Sequence, residues 1–165
     1  MQRRDLFKIT AGAAVAANLS AASHKFFTPE EFSLTEELTE MIIPADEKSG
    51  GAKAAHVAAY IDFRLSEAFD PSEREHWRDG LKRIDALSKQ MHGSAFLASN
   101  SVQRAALLTR LAANEQHPQT PEENFFVLVK HETIRAYYTS QIAIHDDLDY
   151  KGNVLQQGDY AGEVP

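Results

Sequence analysis

The stretch DPSEREHWRDGLKRIDALSKQMHG, residues 70–93, holds the clearest periodicity in the chain. Asp70 followed by Pro71 is a helix start: the carboxylate takes an unpaired N–H of the first turn, and Pro has no N–H to lose there. Trp77, Leu81, Ile84, Leu87 and Met91 then recur every three or four residues, which lines one face of a helix. Gly93 closes the segment where a left-handed residue commonly ends helices. So long an amphipathic helix must bury its stripe against other elements, and the flanking sequence supplies more helices.

Thr28-Pro29-Glu30-Glu31 is a capping box with Pro at the first helical position. Phe32, Leu38, Met41 and Ile42 follow near one face, and Pro44 stops the run. Ala45–Lys53, with Gly50-Gly51, reads as a loop. From Ala54 the positions Val57, Tyr60, Ile61, Leu65 and Ala68 keep helical spacing as far as Phe69. Ser101 caps a shorter helix through Val102, Ala105, Leu108 and Leu111. Thr120-Pro121-Glu122-Glu123 then repeats the capping box ahead of Phe125, Phe126, Val129, Ile134, Tyr137 and Tyr138. No run alternates with period two. The expected fold is all-α: one domain of about five helices over residues 24–144, with an irregular tail over 145–165. That tail places Leu148, Tyr150, Val154, Leu155 and Tyr160 among Gly and polar residues, a pattern suited to lying in a groove, on this domain or on a partner.

The 165 residues fit one domain, and a 43% apolar share is enough for a core. Seventeen Lys and Arg against 24 Asp and Glu leave a formal charge of −7, which argues against a nucleic-acid partner. With no Cys there are no disulfides, thiolate nucleophiles or iron–sulfur ligands.

Residues 1–23 read as an export signal outside the fold. Arg3-Arg4 precede Leu6-Phe7-Lys8 and the mildly apolar run Ile9–Ala17, which is shorter than the roughly 20 residues a bilayer span needs. Paired arginines ahead of such a run resemble the twin-arginine signal, with cleavage after Ala22 or Ser23. An ordinary secretory leader or an uncleaved anchor is the alternative. Removing the leader leaves an acidic domain whose expected place is the periplasm, meeting the membrane through the signal or through its complex.

Motifs for chemistry fall short. There is no GxGxxG, no GxxxxGK[ST] and no GxSxG elbow. His131-Glu132-Thr-Ile-Arg135 has Arg where a zinc protease needs its second His, and a guanidinium has no lone pair for a metal. Asp147-Leu-Asp149-Tyr-Lys151 starts like a calcium loop, but Lys151 stands at a ligand position and Gly158 where the bidentate Glu belongs. None of the seven His pair at i,i+3 or i,i+4. No catalytic, cofactor-binding or metal residue is therefore assigned to this chain. A twin-arginine leader carries folded proteins, commonly with a cofactor, so the cofactor is expected on a partner exported together with this chain.

Specific segments carry a family resemblance. They are Arg3-Arg4, Met41-Ile42-Ile43-Pro44-Ala45-Asp46, Gly51-Ala52-Lys53-Ala54-Ala55-His56-Val57, Phe125-Phe126, Tyr137-Tyr138-Thr139-Ser140 and Leu148-Asp149-Tyr150-Lys151-Gly152-Asn153. Together they resemble the gluconate 2-dehydrogenase subunit 3 family, while the middle helices match in pattern alone. The resemblance implies a non-catalytic small subunit of a flavin-dependent sugar dehydrogenase. Its large subunit is a glucose–methanol–choline-type flavoprotein that holds FAD, the catalytic His pair and the sugar pocket. Electrons would leave through a cytochrome c or another acceptor. The Tyr-Tyr-Thr-Ser and Leu-Asp-Tyr-Lys-Gly-Asn segments are most similar to small subunits of glucoside 3-dehydrogenases. Under this reading the partner interface comprises Ile42, Ile43, Pro44, Asp46, Gly51, Tyr137, Tyr138, Thr139, Ser140, Leu148, Tyr150, Lys151, Gly152 and Asn153. An exported helical binding module without an enzyme partner and a free-standing exported hydrolase are the rival readings.

Overall fold

The computed structural model describes residues 24–148, which form helices and turns with no strand among them. The helices are α1 (Pro29–Ile42), α2 (Gly51–Ala54), α3 (Val57–Ser66), α4 (Pro71–His92), α5 (Ser101–Ala112) and α6 (Pro121–Tyr138). A 3₁₀ turn covers Phe96–Ala98, and one π-helical turn covers Ala143–Asp147. Five of these helices have ten residues or more, as the periodicity predicts.

Their starts are fixed locally. Thr28 Oγ1 accepts from the Glu31 N–H at 3.2 Å while Glu31 returns a carboxylate oxygen to the Thr28 N–H at 2.9 Å. Asp70 caps α4 through the Ser72 N–H at 2.8 Å. Gly93 ends that helix with φ 75°. The stripe of α4 is the centre of the core. Trp77 meets the rings of Phe27 at 5.9 Å and Phe125 edge-on at 5.5 Å. Leu81 and Ile84 of α4, Leu38 of α1, Ile61 and Leu65 of α3, Leu107 and Leu111 of α5 and Val129 of α6 are buried in the same cluster. Each such side chain contributes about 1.5–3 kcal/mol on leaving water. Helices α4 and α6 approach so closely at Gly80 that a Cβ there would overlap the Phe125 ring, which is why the stripe carries a glycine in mid-helix.

Four boundaries differ from the sequence reading. Gly51–Lys53 is helical, because the Ile43 carbonyl takes the Ala52 N–H at 2.9 Å and turns the chain into α2. The helix expected from Ala54 to Phe69 is broken at His56, which adopts φ 54°, and it ends at Ser66, leaving Phe69 exposed. The α5 cap is Asn100 rather than Ser101, since Asn100 and Gln103 form the reciprocal box at 2.9 and 3.0 Å. Helical structure passes His145, with the Leu148 N–H reaching the Ala143 carbonyl at 2.9 Å.

Two long-range polar staples have no counterpart in the sequence reading. The buried Asp62 carboxylate accepts three successive N–H groups, from Lys25 at 2.6 Å, Phe26 at 3.0 Å and Phe27 at 2.7 Å. Arg104 donates to the carbonyls of Phe96, Ser99 and Leu97 and to the Glu37 carboxylate at 2.6 Å. It thereby ties α5, the 3₁₀ turn and α1 together.

At the start of α6, the Glu123 carboxylate accepts from Gln119 N–H at 2.7 Å, Asn114 Nδ2 at 2.8 Å and Thr120 N–H at 3.1 Å. These bonds, the Gln119 backbone bond first, hold its pKa below the ordinary 4.5. A lowered carboxyl contributes stability that is complete above about 4.5 and is lost as the pH falls through the folded value. Glu123→Gln should therefore melt below the parent at pH 7, and the gap should narrow on acidification below 4.5. Thermal melts across a pH series check this; a gap that ignores pH would show that the charge is immaterial.

Candidate functional site

Helix α1 stops because Pro44 follows Ile43 and pushes it out of the helical region, to φ −128° and ψ 85°. The chain then makes a tight turn. Asp46 Oδ1 accepts from the Lys48 and Ser49 N–H groups, both at 2.8 Å, while the Asp46 N–H donates to the Ser49 carbonyl at 2.8 Å. The Ser49 and Lys48 backbone bonds hold the Asp46 carboxyl below its usual range. Gly51, at φ 72°, lies against the backbone of Pro44 and Ala45 where no Cβ fits.

α1 supports this loop from below. Glu40 accepts the Ala45 N–H at 3.1 Å and the Lys53 N–H at 2.8 Å, one per carboxylate oxygen. Glu37 pairs with Lys53 Nζ at 3.0 Å as well as with Arg104. Burial would raise the Glu37 pKa, but the bonds and charges of Lys53 and Arg104 outweigh it and the group is lowered.

The other support comes from the last long helix. The buried Ser49 hydroxyl hydrogen-bonds the Tyr137 hydroxyl across 88 residues of sequence. The Gly51 N–H leans on the same Ser49 oxygen at 3.3 Å. Burial pushes the Tyr137 hydroxyl above the usual tyrosine range; the Ser49 bond opposes that and the nearby Asp147 carboxylate adds to it. A hydroxyl raised in this way keeps its proton at neutral pH, so the pair serves as a neutral strut rather than an acid–base couple.

The two ends of the sequence signature thus meet in one place. Within it, Tyr137 is 1% exposed and Gly51 is buried, so both brace the site from inside instead of presenting a surface as the sequence reading has them. Ile42 and Ile43 are half-buried against the core. Pro44, Asp46 and Thr139 are exposed. Tyr138 stands edge-on to Tyr137 and is 44% exposed, and Leu148 is 58% exposed. Ser140 accepts the Ala143 N–H at 3.2 Å and starts the π turn that leads to Leu148. Tyr150, Lys151, Gly152 and Asn153, like Arg3 and Arg4, lie outside the described residues. Ser49 was missed by the sequence reading; the Asp-x-x-Ser spacing just before two glycines is the signal that marks it.

A second concavity, a cleft of about 610 Å³, opens between the end of α3, the start of α4 and α6. Arg64 on its wall is paired with Glu73 at 2.8 Å and Glu132 at 3.3 Å. Glu132 also pairs with Arg135, so the residues of the incomplete zinc motif form an ion-pair network. Among the described residues no group of three or more His, Asp or Glu is arranged to hold a metal ion, and no helix there is long and apolar enough to cross a membrane.

Tyr137→Phe should lower stability by about 1 kcal/mol, because the buried Ser49 hydroxyl loses its Tyr137 partner and keeps only the Gly51 N–H at 3.3 Å. Denaturant unfolding measures that cost. Hydrogen exchange should also accelerate at Gly51 and Ala52 more than in α4; uniform exchange would mean that the strut does not hold the loop.

The family model described as gluconate 2-dehydrogenase subunit 3 matches residues 29–154, a span that contains every segment of the signature except the paired arginines. Comparison with the curated proteins gives no match, and comparison with the solved structures gives none either. With most of its length matched, and the matched segments joined at Ser49 and Tyr137, the chain belongs to the gluconate 2-dehydrogenase subunit 3 family, whose members are accessory subunits of sugar dehydrogenases.

Proposed function

We propose that this chain is the non-catalytic small subunit of a periplasmic, flavin-dependent sugar or glycoside dehydrogenase. Its partner is a glucose–methanol–choline-type large subunit that carries FAD and the sugar pocket, with a cytochrome c as a further electron acceptor in the complex. The observation that carries the reading is the buried strut between Ser49 and Tyr137, which brings the two halves of the family signature together beneath the exposed Pro44, Asp46 and Tyr138. Three hydrogen bonds support a loop on which Pro44 and Asp46 are exposed. Rigidity of that kind suits a docking surface, because little conformational entropy is lost when it meets a partner. A subunit that binds the native large chain and not its unfolded form stabilises it by mass action.

The likeness of Tyr137–Ser140 and Leu148–Asn153 to glucoside 3-dehydrogenase subunits supports oxidation of a sugar C3 hydroxyl to a ketone. The Arg3-Arg4 leader supports export of the two chains as one folded unit, the large subunit needing no leader of its own.

Co-expression with a glucose–methanol–choline-type flavoprotein large subunit tests the proposal. The two chains should purify together with flavin absorbance and sugar oxidation, while this chain alone shows neither; turnover by the isolated chain would overturn the accessory role. Tyr138→Asp with Leu148→Asp should weaken the complex at least about tenfold, or 1.4 kcal/mol, without altering this chain's own melting. Unchanged affinity would move the interface elsewhere. In cells, Arg3→Lys with Arg4→Lys should leave dehydrogenase activity in the cytoplasm. Activity that still reached the periplasm would rule out export through this leader.

A further inference from the structure

The cleft between α3, α4 and α6 holds none of the residues assigned to the partner interface. Its volume of about 610 Å³ lies within the roughly 300–1,000 Å³ of small-molecule sites. A neighbouring hollow of about 470 Å³ shares His76 and Asn124 with it, so the two form one groove along α4 and α6. The charges of this groove are already balanced. Arg64 pairs with Glu73 at 2.8 Å, and Glu132 lies 3.3 Å from Arg64 Nε and 2.6 Å from Arg135. In the second hollow Asp79 takes Arg83 Nε at 2.6 Å. An ionic ligand would have to break one of these pairs to find a counter-charge.

Hydrogen-bonding capacity remains where the charge is spent. Arg64 Nε is buried and has no hydrogen-bond partner among the described residues. The Glu132 oxygen balances its charge without lying where the N–H points. Asn124 Nδ2 donates to the Thr120 carbonyl at 2.9 Å, which fixes the amide and leaves its oxygen to accept. His76 is exposed with its ring 6.3 Å from that of Phe125, and a neutral imidazole has one donor and one acceptor nitrogen. Between these groups the lining is apolar, from the half-buried Leu128 and the buried Trp77. An apolar molecule would cover the Arg64 and Asn124 groups without satisfying them, which costs free energy. A hydroxyl supplies a donor and two acceptors without charge, and a ring bearing several of them also has apolar C–H faces. We propose that this groove binds a neutral polyhydroxylated ligand of about disaccharide size, with Arg64, His76 and Asn124 as its hydrogen-bonding residues. The site belongs to this chain alone and does not rest on the partner proposed above.

Titration of the purified full chain, followed by NMR on the Arg64 Nε–H and the Asn124 side-chain amide, tests the site without any partner. Sucrose should move both signals along a saturating curve in the millimolar range. Glucose, which fills one hollow, should bind at least about threefold more weakly, and gluconate and inorganic phosphate at least about tenfold more weakly. Asn124→Leu and His76→Ala alter exposed side chains, and each should weaken sucrose at least about tenfold, read on Arg64. Sucrose shifts that never saturate, or that saturate alike in the parent and both variants, would overturn the proposal. Gluconate or phosphate binding as tightly as sucrose would overturn the neutral class of the ligand, and glucose matching sucrose would overturn its extent over two hollows. The large subunit takes no part in these titrations, so a failed association with it would count against the accessory reading and leave this result standing.

Discussion

The hydrogen bond between the Ser49 and Tyr137 hydroxyls is the constraint that joins the two parts of the candidate site. It joins the loop after the first helix to the last long helix, and both partners are buried, so neither has water to fall back on. Removing the Tyr137 hydroxyl leaves the Ser49 oxygen with only the longer bond from the Gly51 N–H, at 3.3 Å. The loop's remaining supports come from α1 alone, through Glu37 and Glu40.

The same logic recurs with charge. Arg104 donates to the Leu97 and Ser99 carbonyls and adds a second bond to the Phe96 carbonyl, which also accepts the Ser99 N–H, and Glu37 balances its charge. Because Glu37 also holds Lys53, one carboxylate connects α5, α1 and the signature loop. Asp62 does comparable work ahead of α1 by taking three N–H groups of a segment that belongs to no helix. In each case an extended or turning backbone that cannot bond to itself is completed by a side chain from a helix.

What the sequence made legible divides along this line. Helix starts at Thr28, Asp70 and Thr120 were readable because a cap and its target lie within three residues. The α4 stripe was readable because burial repeats with the helical period. The break at His56, which takes φ 54°, was not, since no Gly, Asn or Pro stands there to mark a left-handed residue. The roles of Asp62, Arg104 and Ser49 were hidden because their partners lie between 5 and 88 residues away. At the candidate site the signature named the correct neighbourhood but not the direction of its side chains. Tyr137 and Tyr138 are adjacent in sequence and about 100° apart around the helix, so one braces the core while the other faces outward.

That division within the Tyr-Tyr pair bears on how a small domain serves as an accessory subunit. The interior is complete: Trp77, Phe125, Tyr137 and their neighbours close the core without help. Tyr60 and Phe63 on α3, and Ile134 and Tyr138 on α6, nevertheless remain exposed at i,i+3 and i,i+4 spacing on two helices that pack together. Outward stripes of this kind add nothing to the folding of the free chain, because they stay in water. On assembly each would return about 25 cal/mol for every square ångström covered. In the proposed complex the family signature supplies a stiff loop that sets the geometry, and the outward aromatics supply area that gains free energy when the large subunit covers it. In that proposed complex the exposed face would reach its lowest free energy only when the large subunit covers it.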